Sequence, residues 1–227
     1  GKMLDKGFHL MDCMDGMREF PDKFFSLAVV DVPYGIGADK MTLGNGKRVV
    51  HHGDWDSCAP SEDYFKELFR VSKNQIIWGA NHFISKIPID SSCWIFWDKG
   101  TGDNDYADGE LAWTSFKSVV KKYSRSWVGS NAKEKNERDR IHICQKPISI
   151  YMWILENYAH RGDKILDTHV GSASSLIACH RMGFEYWGFE LDADYYKAAS
   201  ERLEKEKSMQ PLFEPQEIYK QEGLQLD

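Results

Sequence analysis

No stretch of this chain is apolar for long enough to span a bilayer, and no secretory leader is visible. Cysteine is sparse: five residues, at 13, 58, 93, 144 and 179, with no C-x-x-C pair and no zinc spacing. An odd, scattered set argues against a disulfide scaffold and for a reduced, cytoplasmic setting. Positive charge is also in short supply. With 29 Lys and Arg against 35 Asp and Glu, the formal net charge is −6. That counts against broad nonspecific coating of nucleic acid but leaves room for a local basic face. Internal repeats and low-complexity blocks are missing. What remains is 227 residues, 42% hydrophobic and 13% aromatic, enough for a single domain over 1–227 with a sizeable core.

The densest information lies between residues 164 and 192. Lys164–Thr168 is a short strand run, Val170–Ser175 a run of small residues, Leu176–Met182 has helical composition, and Glu185–Phe189 reads as the next strand. Glu190 then falls nineteen positions after Gly171. A carboxylate about 20 residues beyond a strand-to-helix glycine turn is how an open α/β sheet holds a ribose diol. The turn lets backbone approach the ligand, and the acid accepts two hydroxyl hydrogen bonds. The pattern predicts a nucleoside-containing cofactor. A nicotinamide oxidoreductase would use the same turn and acid, but it leaves the second feature unexplained.

That feature is Asp31-Val32-Pro33-Tyr34-Gly35, directly after the apolar run Leu27–Val30. A polar residue, a proline and an aromatic at the carboxyl end of a buried strand are well placed for chemistry. The carboxylate accepts from an amine, Pro33 fixes its own φ, and the Tyr34 ring offers a face for a planar base. An isolated Asp-x-Pro turn would read as ordinary; two such strand ends in one chain shift the balance.

Together these residues resemble the S-adenosylmethionine-dependent amino-methyltransferases of DNA, with their Asp-Pro-Pro-Tyr catalytic and Phe-x-Gly-x-Gly cofactor motifs. The catalytic motif comes first here, a permuted order similar to the β class. Leu10-Met11-Asp12-Cys13 resembles the segment near the cofactor adenine. Gln75–Asn81 and Trp94–Lys99 resemble the intervening core strands, and His142-Ile143-Cys144-Gln145-Lys146-Pro147 the segment before the cofactor half. The likeness covers residues 7–207 and has the flavour of small phage-type adenine methylases. It implies a Rossmann-like α/β fold, with a mixed, mostly parallel sheet and helices on both faces. It also implies a catalytic set Asp31, Val32, Pro33 and Tyr34. The implied cofactor set is Asp12, Cys13, Lys146, Asp167, His169, Val170, Gly171, Ser172, Ala173 and Glu190, with Lys146 toward the methionine end. Asp in the first catalytic position favours N6 of adenine over N4 of cytosine, within restriction-modification or phage biology. No metal is expected.

Three positions depart from the family. Val32 replaces the first proline but keeps the carbonyl that accepts from the target amine. His169 stands where Phe is usual and adds a group that titrates near neutral pH. Ala173 replaces a glycine, adding a methyl where backbone approaches ligand. These changes motivate a rival reading, an inactive methyltransferase fold acting as a nucleic-acid-binding module; related motifs also serve RNA and protein-amide substrates.

Residues 36–60 form a long, Gly-rich connection carrying Lys47, Arg48, His51, His52 and Trp55, a candidate loop over the active site and a flipped base. A mobile loop with incidental charges fits them as well. Residues 100–140 break the α/β alternation. They are read as setting Lys117, Lys121, Lys122, Arg125, Lys133, Lys135, Arg138 and Arg140 against Glu134, Glu137 and Asp139, a local +5. Trp113, Phe116, Tyr123 and Trp127 are interleaved, as expected of a nucleic-acid surface; a solvated irregular insert is the alternative. The candidate DNA contacts are therefore Lys47, Arg48, Lys121, Lys122, Arg125, Arg138 and Arg140. An insert this short is expected to need a second subunit, in a homodimer. Ser61 reads as an N-cap ahead of a helix face of Tyr64, Leu68 and Val71, Pro147 as a helix start, and Asp192 as the cap of the last helix. Gln210-Pro211-Leu212-Phe213 resembles short peptides that dock on replication sliding clamps, unless the tail packs on its own domain.

Overall fold

The computed structural model describes residues 3–33, 60–87, 89–101, 107–125 and 145–209. In chain order these form β1 (Gly7–Leu10), α1 (Cys13–Arg18), β2 (Phe25–Asp31), α2 (Glu62–Val71), β3 (Ser72–Trp78), β4 (Trp94–Asp98), β5 (Gly109–Thr114), β6 (Lys121–Ser124), α3 (Ile148–Tyr158), β7 (Lys164–Asp167), α4 (Ser174–Met182), β8 (Glu185–Glu190) and α5 (Ala193–Ser208). The strands make one eight-stranded sheet in the order β1-β8-β7-β2-β3-β5-β4-β6. The first five of that order run parallel; β5 runs against both its neighbours, and β6 is parallel to β4. The sheet is therefore mixed and mostly parallel, as the family resemblance implies.

Strand β2 explains the layering. Leu27 and Val29 face one hydrophobic cluster, with Ile150 and Ile154 of α3, Leu176 of α4 and Leu203 of α5. Ala28 and Val30 face the other, with Met17 of α1 and Phe65 and Leu68 of α2. A strand buried on both faces reads as a continuous apolar run, which is what Leu27–Val30 is. The caps follow the sequence. Ser61 Oγ accepts from Tyr64 N at 3.2 Å, and Asp192 Oδ1 from Asp194 N and Tyr195 N at 2.8 and 2.9 Å. Pro147 occupies the N-cap of α3 and not its first turn.

The chain leaves β2 for β3 on one side and β7 for β8 on the other, so the β7/β2 boundary is where the winding reverses. Open α/β sheets bind ligands at such a crevice, beyond the carboxyl ends of the strands.

Candidate active site

That edge gathers most of the polar residues the motifs single out. Asp31 ends β2, Asp167 ends the adjacent β7, Glu190 ends β8, and Asp12 follows β1. Because β5 runs antiparallel, it brings its amino end, Gly109 and Glu110, to the same edge. Lys99 follows β4 there, and Arg125 follows β6.

Lys146 lies at the centre of the catalytic half. Its side chain is 2% exposed, and Nζ lies 2.7 Å from Asp31 Oδ2 and 2.9 Å from Glu110 Oε2. The contact to Asp31 is a hydrogen bond; that to Glu110 is an ion pair without hydrogen-bond alignment. Glu110 Oε1 lies 2.5 Å from Lys99 Nζ. Lys146 also sits over the Trp78 ring, 5.1 Å from its centroid. Burial alone would raise the Glu110 carboxyl, but the Lys146 and Lys99 ammonium groups outweigh it and hold it at about 2. Burial likewise opposes the Lys146 charge, yet Asp31 and Glu110 hold that ammonium above its usual range.

The cofactor half is a knot of hydrogen bonds. Glu190 Oε2 accepts from Gly171 N at 2.9 Å and Oε1 from Asp192 N at 3.0 Å, tying the turn after β7 to the turn after β8. Gly171 takes φ 54, a conformation open to glycine without strain. Asp167 is 2% exposed; Oδ1 accepts from His169 N at 3.0 Å, and Oδ2 accepts from the Ser175 hydroxyl. Burial pushes the Asp167 carboxyl up to about 7, against those two bonds and with help from Asp31 and Glu190. Burial also raises Glu190, partly offset by its backbone donors, and pushes the Cys13 thiol up to about 12. Asp12 caps α1, accepting from Met14 N at 2.7 Å.

The structure and the full residue count change several of these expectations. Burial lowers His169 to about 4, so the ring stays neutral at physiological pH instead of titrating there. Its Nδ1 pairs with Thr168 Oγ1 at 2.9 Å, and Thr168 Oγ1 with Tyr64 OH at 2.6 Å. Ala173 is fully buried and packs in the core cluster, and its φ of 63 is a backbone state that the usual glycine adopts freely and alanine adopts at a cost. The aromatics of the insert are structural where described. Trp113 is fully buried in β5, Phe116 packs on Tyr158, and Tyr123 stacks near Trp153 and donates to Ser149 Oγ. Counted over all of 100–140, the acids also include Asp103, Asp105, Asp108 and Glu110, so the charge excess falls from +5 to +1.

Among the candidate DNA contacts, Lys121 and Lys122 are exposed on β6, at the outer end of the sheet order. Lys122 pairs with Asp98 at 2.8 Å. Arg125 lies at the active edge and donates to Ser149 Oγ. Lysines on an outermost strand also discourage strand pairing with other chains. Val32 buries its side chain at 1% exposure, so it meets the site through its backbone. Tyr34, Lys47, Arg48, Arg138, Arg140, the 36–59 part of the loop, Trp127 and Gln210–Phe213 lie outside the described residues. Among the described residues, no helix is long and apolar enough to cross a membrane. None of their His, Cys, Asp and Glu form a group of three or more placed to hold a metal ion.

Sequence reasoning missed Glu110, Tyr64, Ser175 and Arg202, whose guanidinium holds Ser172 O at 2.6 Å and Ser174 Oγ at 2.9 Å. It also missed Gly188. A Cβ there would come within 2.6 Å of Val170 Cγ2 and 2.9 Å of Leu176 Cδ1, the side chains seating the cofactor turn. Gly188→Ala is expected to destabilise the fold by about 1–3 kcal/mol. A urea midpoint unchanged from the native chain would refute this packing account.

Comparison with known proteins agrees with this geometry. Residues 94–201 match the N6/N4 DNA methylase family model. The chain is 33% identical to the type II methyltransferase M2.DpnII of Streptococcus pneumoniae over 71% of its own length and 53% of the relative's. It is 22% identical to the type II methyltransferase M.HpaI of Haemophilus parainfluenzae over 89% of its length and 76% of the relative's. The fold is that of a putative DNA modification methylase from Thermus thermophilus, solved with S-adenosyl-L-methionine, at TM-score 0.58 and 19% identity, covering 88% of this chain and 95% of that one. With its motifs in β-class order on one sheet edge, the chain is similar to the N6/N4 family of DNA methylases, whose model matches residues 94–201.

Proposed function

We propose that this chain transfers the methyl group of S-adenosylmethionine to N6 of adenine in DNA, after the base is flipped from the duplex. The observation that carries this reading is the adjacency of Asp31 and Asp167 at the ends of neighbouring strands, with Glu190 one strand further on. That adjacency supports a reading in which an amine-accepting turn lies beside a ribose-holding one.

The pocket's donors and acceptors fit the cofactor. Each Glu190 oxygen takes one backbone N–H, and a carboxylate oxygen can accept a second bond, so both ribose hydroxyls can be held. Asp12, and Asp167 once it ionises above about pH 7, make the surroundings anionic, suited to a cationic sulfonium, and Cys13, His169, Val170, Gly171, Ser172 and Ala173 wall the turn. When bound, the sulfonium supplies an already activated methyl. Asp31 and the Val32 carbonyl accept the two hydrogens of the exocyclic amine, turning its lone pair toward the methyl. Pro33 stiffens the turn and Tyr34 stacks on the base. Catalysis then rests on positioning and electrostatics, without a covalent intermediate. Lys47, Arg48, Lys121, Lys122, Arg125, Arg138 and Arg140 are the proposed DNA contacts, in a cytoplasmic protein that pairs as a homodimer.

A second reading, N4 of cytosine, uses the same geometry on another exocyclic amine; Asp31 in the first catalytic position favours adenine. Unmethylated DNA incubated with the protein and S-adenosylmethionine is expected to yield N6-methyladenine by nucleoside mass spectrometry. N4-methylcytosine would overturn the base assignment. No methylated base on single or double strands would shift the reading to RNA, protein or an inactive module.

A further inference from the structure

We infer that Glu110 is a positioning residue for the proposed methyl transfer, holding Lys146 so that its ammonium fixes the direction of the Asp31 carboxylate. The inference rests on the methyltransferase reading above. No motif points to Glu110; it lies in a segment read as a DNA-recognition insert.

Topology makes the contact. Strands β2 and β3 deliver Asp31 and Trp78 to the active edge in register with each other, and Trp78 pairs with Ala112 of the antiparallel β5. Glu110 lies two residues before Ala112, just beyond the end of β3. It therefore reaches the edge from the amino end of an antiparallel strand. Its two oxygens are divided: Oε1 meets Lys99 at 2.5 Å and Oε2 meets Lys146 at 2.9 Å. Lys146 in turn meets Asp31 Oδ2 at 2.7 Å. Four charges thus alternate in sign from Asp31 to Lys99, and the Trp78 ring floors the middle of the row.

The arrangement does more than neutralise charge. A carboxylate turns easily about its last side-chain bond; one oxygen gripped by a fixed ammonium sets where the other points. A lysine has four rotatable bonds and is a poor anchor unless it is itself anchored. Glu110 supplies that anchor, and Lys99 stops Glu110 from turning away. A buried ion pair is a weak source of stability compared with apolar packing. A row of them ending on the catalytic carboxylate is better explained by geometry.

The test is Glu110→Gln, which keeps the shape and removes the charge, alone and combined with Lys146→Met, in the full chain with S-adenosylmethionine and DNA. Glu110→Gln is expected to lower kcat about ten- to hundredfold, the loss typical of a reacting group displaced by about an ångström. KM for DNA and the calorimetric Kd for the cofactor should stay within about threefold, and the double variant should be no slower than Lys146→Met alone. Lys99→Met, which loosens Glu110 from its far end, should lower kcat about three- to tenfold and provides an independent check should Glu110→Gln fold poorly. Native kcat in Glu110→Gln, or a rise in KM or Kd with kcat unchanged, would overturn the inference. So would an undiminished loss when the variant is made on Lys146→Met. A native chain that methylates no DNA overturns the functional reading itself; an active native chain with an unaffected Glu110→Gln overturns this inference alone.

Discussion

Asp31→Asn is expected to lower kcat about a thousandfold while leaving cofactor affinity within about threefold of the native chain. Asparagine keeps the size of the side chain and can still offer an oxygen to Lys146, now 2.7 Å from Asp31 Oδ2. What it loses is the negative charge facing the amine as nitrogen becomes cationic. Alanine is a less informative choice. It would remove one partner of a lysine that is 2% exposed, and breaking a buried pair by deleting one partner costs about 3–5 kcal/mol. Part of any activity lost in Asp31→Ala would then be lost fold. In Asp31→Asn the second carboxylate, Glu110, still faces Lys146 at 2.9 Å, so the site should hold its shape. Single-turnover kinetics and calorimetry on one preparation separate the two quantities. A native single-turnover rate in Asp31→Asn would remove Asp31 from the mechanism.

The parts of the site that were legible in sequence are those written in consecutive residues. Leu27–Val30 announces a doubly buried strand because both faces must be apolar, and the polar residue that ends it is then placed at the sheet edge. Gly171 and Glu190 are legible because the spacing between them measures one turn, one helix and one strand, and the structure closes that unit with a hydrogen bond between them. Asp192 and Ser61 are legible because capping is a local contest for orphan N–H groups.

What stayed hidden depends on strand order. Asp31 and Lys146 are 115 residues apart, and Tyr64 and Thr168 are 104. No pattern in either neighbourhood encodes the pairing. Residues 109–114 looked like part of an irregular insert because they interrupt the α/β alternation; they are strand β5, turned against its neighbours. An aromatic such as Trp113 looks the same in a sequence whether it fills a core or stacks on a base. Its full burial here, with Nε1 donating to Ile89 O, settles which. His169 misled for a related reason. Its residue type promises a charge change near neutral pH, but burial disfavours the charged form and moves that change down to about 4.

Asp167 carries the other large expected effect, and its sign is opposite to that of most catalytic-site substitutions. Burial raises its carboxyl from 3.8 to about 7. A raised carboxyl means that the folded chain holds the proton more tightly than the unfolded one. The associated stability is fully present below the unfolded value and is lost as pH rises from about 4 to about 7. Above that window, ionised Asp167 costs the fold on the order of a few kcal/mol, because burial disfavours the charged form. Asp167→Asn removes that cost while keeping an oxygen for His169 N and a polar group for the Ser175 hydroxyl, which can rotate to accept. At pH 8 the variant is expected to be more stable than the native chain by about 2–4 kcal/mol, and at pH 4 by almost nothing. His169 and Glu110, whose values are lowered to about 4 and about 2, add the opposite trend to both proteins. The difference between variant and native urea midpoints isolates Asp167. The gain should come with a loss, because the same carboxylate makes the pocket anionic. Removing it should weaken S-adenosylmethionine about tenfold by calorimetry at pH 8, the size of one charge-assisted contact. A variant less stable than the native chain at pH 8 would mean that the carboxylate is compensated within the fold, and the account of Asp167 as a group held at a cost for ligand binding would fail.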